Sequence, residues 1–153
     1  MRNGGFTLIE ILISLAIMGL ILSLGLLVNT NSLVNTFFQS EKSIILSSLQ
    51  KARNRSMTNY HETAYGLCFD NADPGEPEYV LFQAPYSPNK KTNEYVEANK
   101  AVIISSVPDK FLCMDGGIIF SQLSGRSSAV TIDISEDQKK TEISINQSGR
   151  INW

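Results

Sequence analysis

From Ile11 to Val28 the chain carries no charged residue, and no other feature limits its folding so strongly. A helix needs about 20 apolar residues to cross a hydrocarbon layer roughly 30 Å thick. The run therefore has the length of a membrane span. A secretory signal would pair a positive start with a shorter apolar region and a small-residue cleavage site after it. No Ala-x-Ala site follows Val28, so the segment is expected to be retained. Arg2 supplies a positive flank that assigns this end to the cytoplasm. Apart from Arg2 and Glu10, every Lys, Arg, Asp and Glu lies beyond Gln39, so the average hydropathy describes neither half.

The 153 residues allow about one ordinary domain plus one further element. A net charge of -2 gives no basic field of the kind that neutralises phosphates, so nucleic acid is not an expected partner. Past the apolar run, Leu33, Phe37, Glu41, Ile44, Ile45, Leu49 and Ala52 recur at three- and four-residue steps. One helix from Phe6 to Met57 fits, about 75–80 Å long at 1.5 Å per residue. Gly19, Ser23 and Gly25 are weak points in that helix or places of close helix packing. Beyond Tyr60 the pattern turns to short apolar or alternating runs bounded by turn residues. Strands are expected at Thr63–Phe69, Tyr79–Ala84, Ala101–Val107, Gly117–Gln122, Ala129–Ile134 and Glu142–Asn146, forming an antiparallel sheet against the helix. The polar stretch from Pro85 to Asn99, with Tyr86 and Tyr95, reads as an exposed connector.

Cys68 and Cys113 lie in apolar runs and lack any Cys-x-x-Cys or Cys/His spacing that would suggest zinc. They are two separate core thiols or, in an exported domain, a possible disulfide. His61 is the sole histidine and stands without a nucleophile motif. Asp70-Asn71-Ala72-Asp73-Pro74-Gly75-Glu76 and Ser135-Glu136-Asp137 lack the spacing of a calcium-binding helix-loop-helix and read as turns. No enzyme activity, cofactor or metal is expected.

Glu10 is the anomaly, because a carboxylate beside an apolar span is costly unless it is paired or reaches the interface. Nothing in the segment supplies a cation except Arg2. The stretch Gly5-Phe6-Thr7-Leu8-Ile9-Glu10, running into Ile11-Leu12-Ile13, resembles the prepilin processing motif of type IV pilins and pseudopilins. The resemblance implies cleavage between Gly5 and Phe6 by a membrane prepilin peptidase, then N-methylation of the new Phe6 amine. It also implies that Glu10 pairs with the N-terminal amine of a neighbouring subunit and fixes register during assembly.

The implied fold is α+β and pilin-like, with a long N-terminal α-helix packed on a C-terminal antiparallel β-sheet head. Its divisions are a leader at 1–5, a transmembrane and assembly helix at 6–29, an amphipathic continuation at 30–58 and a β-rich head at 59–153. Implied partners are the peptidase, other pilin or pseudopilin subunits, and an inner-membrane platform with its ATPase. The chain would sit in the bacterial cytoplasmic membrane as a single-pass protein with its head in the periplasm or outside, and then enter a pilus or pseudopilus. The segments Gly117-Ile118-Ile119-Phe120, Ser124-Gly125-Arg126, Val130–Ile134 and Ile143–Ile151 resemble the C-terminal region of H-type minor pseudopilins of type II secretion and T-type minor pilins. That resemblance implies a minor subunit at a filament tip or in filament initiation. The rival is a DNA-binding or adhesive minor pilin, although Gly149-Arg150 is followed only by Ile151-Asn152-Trp153 and so lacks an arginine cluster.

Overall fold

The apolar run folds as α1 (Leu8–Leu26), and the amphipathic repeat as α2 (Thr30–Met57). The computed structural model describes residues 7–26, 30–73, 75–136 and 139–153, without the side chains of 24–36. Two compact units divide the chain, 1–36 and 37–153. The expected continuous helix from Phe6 to Met57 crosses residues 27–29, which lie outside the described residues.

In the second unit, α2 buries Phe38, Glu41, Ile45, Leu49, Ala52 and Ser56. These positions advance by steps of three and four whose average is the 3.6 that keeps a stripe on one face. Phe37, expected in the stripe, is 52% exposed, whereas its neighbour Phe38 is 4% exposed. The run Phe37, Glu41, Ile45, Leu49 moves only in fours. Each such step drifts about 40° around the helix, so its first member falls off the face. The side chain of Leu33 lies outside the described residues.

The single expected sheet is two four-stranded sheets. The first contains β1 (Tyr65–Asp70), β2 (Glu78–Gln83), β3 (Glu94–Glu97) and β5 (Ile118–Phe120), in the order β3-β2-β1-β5. The second contains β4 (Ile103–Val107), β6 (Val130–Glu136), β7 (Lys139–Ile145) and β8 (Ile151–Asn152), in the order β4-β6-β7-β8. All of these strand pairs are antiparallel. The sequence reading lacked β3, a polar edge strand inside the expected connector, and β8, a strand of two residues.

The main core joins α2 to both sheets. Ile45 and Leu49 meet Leu67, Leu81 and Ile118 of the first sheet and Ile132, Ile134 and Ile143 of the second in one apolar cluster. The second sheet is one-sided: β6 alternates between buried and half-buried residues along its length. The first sheet is covered on both faces. Leu67, Phe69, Tyr79 and Leu81 face the main core, while Cys68, Val80 and Phe82 form a second cluster with Cys113, flanked by Tyr86. Double coverage explains why β1 and β2 read as unbroken apolar runs. Cys68 and Cys113 are joined as a disulfide, their Cα atoms 4.8 Å apart.

Candidate assembly surfaces

The start of α1 is closed by its own residues. Thr7 Oγ1 accepts from the Glu10 backbone N–H at 3.3 Å, and Glu10 Oε2 accepts from the Thr7 backbone N–H at 3.1 Å and from its hydroxyl at 3.0 Å. This reciprocal pairing is a capping box, which satisfies backbone donors that a helix start otherwise leaves orphaned. Its signature, Thr followed three residues later by Glu, stood in the sequence but was masked by the membrane and processing readings of the same residues. Further along, Ser14 Oγ donates to Glu10 O at 2.7 Å and Ser23 Oγ to Leu20 O at 2.8 Å, so both hydroxyls are satisfied within the helix.

Within its own unit α1 exposes apolar side chains all round, from Leu8 to Leu22. A helix apolar on every side requires a core, a membrane or other subunits to cover it. A Cβ added at Gly19 would meet nothing within 4 Å, so that glycine packs against nothing inside the subunit. Among the described residues no helix is long and apolar enough to cross a membrane, and the expected span over 6–29 reaches past the described side chains at both ends. Gly5, Phe6 and Arg2 lie outside the described residues.

In the head, the residues weighed for chemistry are engaged in structure. The His61 ring Nδ1 lies 3.2 Å from both Tyr65 Oη and Gln83 Nε2, and its ring packs at a tilt of 31° against Tyr60, the centroids 4.0 Å apart. Asp70 Oδ1 accepts from Ala72 N–H at 3.0 Å, and Asp73 Oδ1 from Gly75 N–H at 2.8 Å. Both are side-chain turns that stabilise a chain reversal. Among the described residues no three His, Cys, Asp or Glu side chains gather as a metal site. Asp137 lies outside the described residues. Tyr86, expected on an exposed connector, packs edge-on against Phe82 at 5.2 Å and helps to close the second core cluster.

Residues 1–26 match the prokaryotic N-terminal methylation motif. The match covers the capped start of α1 and most of its apolar length. No curated protein matches the sequence. Among solved structures, the minor pseudopilin EpsH from the type 2 secretion system of Vibrio cholerae is similar at 12% identity and a TM-score of 0.49, over 74% of this chain and 91% of that one.

The β-rich unit closes at its C-terminal end through two copies of one tripeptide, Ser124-Gly125-Arg126 and Ser148-Gly149-Arg150. Gly125 (φ 61°) and Gly149 (φ 75°) both take the left-handed backbone that glycine tolerates. A Cβ at Gly149 would lie 1.8 Å from the Gly125 carbonyl oxygen, and one at Gly125 would lie 2.6 Å from Met57 Cγ. The two turns thus press on each other and on the end of α2, and no other residue type fits.

Proposed function

We propose that the chain is a minor pilin or pseudopilin, a processed subunit of a type IV pilus or type II secretion pseudopilus that acts at the tip or in initiation. The observation that carries this reading is the N-terminal methylation motif over residues 1–26. Gly5 is the last residue of the leader, and Phe6 presents the amine that is exposed by cleavage and then methylated. The helix beyond it anchors the chain in the inner membrane as a single pass, with the head outside. An assembly platform and its ATPase then draw the subunit into the filament.

Two features of the structure support this reading. The all-round apolar surface of α1 calls for lipid before assembly and neighbouring helices after it. The Cys68–Cys113 disulfide fits a head that folds in an oxidising compartment, where such bonds form and persist. The decisive test is the leader. Gly5→Ala should leave a precursor that keeps residues 1–5 when the membrane fraction is analysed by mass. Full maturation and incorporation of that variant would refute the reading.

A further inference from the structure

Where α2 runs out against the C-terminal strand, a cleft of about 590 Å³ opens, lined by Gln50, Arg53, Asn54, Arg150, Ile151 and Trp153 among others. Its lining carries two guanidinium groups and no acidic side chain. Arg53 has no acid within one turn of itself on α2, where Leu49, Gln50, Ser56 and Met57 are its neighbours. Its Nε is shut off from solvent and makes no hydrogen bond among the described residues. The glycine turns hold that side chain in place: a Cβ at Gly125 would stand 3.3 Å from Arg53 Cγ, and one at Gly149 would stand 3.3 Å from Nε. Arg150 and Trp153 are exposed at the rim, and neither Arg53 nor Arg150 forms an ion pair among the described residues. A half-buried guanidinium with a second at the rim, beside an indole, is suited to a carboxylate.

The same head offers the complement nearer the middle of α2. Glu76, Glu78 and Glu97 line a groove with Lys100 as its one cation. Asn99, between Glu97 and Lys100, donates its backbone N–H to Glu41 on α2 at 2.6 Å, which sets this rim at the level of residue 41. From residue 41 to Arg53 the helix rises about 18 Å. The two charged surfaces are therefore separated along the helix axis and cannot neutralise each other within one head. We propose that the acidic groove of a second copy of this chain docks into the Arg53–Arg150 cleft, a head-to-tail contact between copies displaced along the stem direction. Such a contact is heterologous: it leaves the groove of one copy and the cleft of the other open to further copies. The inference rests on reading the chain as a filament subunit and adds which surface meets which.

The test uses the full-length chain purified in detergent, with a benzophenone side chain replacing the exposed Asn152 beside the cleft. Illumination should yield a covalent dimer whose cross-link maps to residues 76–100 of the second copy, in lower yield at high salt because exposed charges are screened. Arg150→Glu should cut that yield at least about tenfold, since like charges then face each other. Arg53→Gln should also lower it. Mixing Arg150→Glu chains with Glu97→Lys chains should restore a mixed dimer, and circular dichroism checks that each variant is folded. Absence of a dimer, a cross-link mapping outside the acidic groove, insensitivity to both charge changes, or cross-linking to copurified nucleic acid instead of protein would each overturn the pairing. The assay requires neither cleavage nor a filament, so its failure is separable from failure of the Gly5→Ala leader test.

Discussion

Glu41 is the residue that most departs from what its surroundings would suggest. It sits in the apolar stripe of α2 with 3% of its surface exposed. It is tolerated because both oxygens are used: Oε2 accepts from the Tyr79 hydroxyl at 2.7 Å and Oε1 from the Asn99 backbone N–H at 2.6 Å. Burial, followed by the bond to Glu41, pushes the Tyr79 phenol well above its ordinary range, so it stays a donor. Removing the acceptor leaves two donors without a partner in the interior. Glu41→Ala should cost about 2–4 kcal/mol, and Glu41→Gln clearly less, as read by denaturant unfolding. The periodic pattern already placed Glu41 on the inward face. What it could not supply was the partner, because Tyr79 and Asn99 are distant in sequence and adjacent only after β2 and β3 have folded.

At the scale of elements, β3 shows how a strand can escape a sequence reading. Glu94-Tyr95-Val96-Glu97 is short, polar and flanked by a loop, as protected edge strands commonly are. Its tie to α2 is electrostatic: Glu94 Oε2 meets Lys51 Nζ at 2.6 Å and Oε1 meets Arg55 Nη2 at 2.6 Å. The Lys51 hydrogen bond, with Arg55 adding to it, holds the Glu94 carboxyl below its ordinary range despite partial burial. A lowered carboxyl pKa contributes stability that is present above the ordinary value and lost as pH falls through the folded one. Glu94→Gln should therefore destabilise by about 0.5–1 kcal/mol at neutral pH, since the pair is solvent-exposed, and the difference from wild type should vanish on acidification. Parallel thermal melts across pH would check this, and a difference that persists in acid would contradict it. The buried strands were legible because apolar content is written locally. The division into two sheets was not, since it depends on pairings between strands distant in sequence, such as β1 with β5 and β4 with β6.

For the whole molecule, sequence and structure inform different ends. The N-terminal motif was readable as a motif, residue by residue, while the structure adds the Thr7–Glu10 box within the first turn of α1. If Glu10 sets register in the filament, Glu10→Ala should mature at Gly5 much as wild type does yet be depleted from pili or pseudopili on immunoblots of sheared filaments. Thr7→Val should separate the two roles of the carboxylate, because it removes the hydroxyl cap and keeps the charge. Normal incorporation of Glu10→Ala would exclude a register role.

The double coverage of the first sheet bears on where the head can recognise anything. One of its faces is spent on α2, and the other is sealed by a disulfide and a tyrosine. A binding partner has no access to either along the paired middle of β1 and β2, where the side chains are buried. Recognition is thereby displaced to the margins: the outer face of the second sheet, the exposed rim of β3, and the seam where the last strand meets the end of the helix. A mutational search of the head can begin with those three borders and omit the buried middle of β1 and β2.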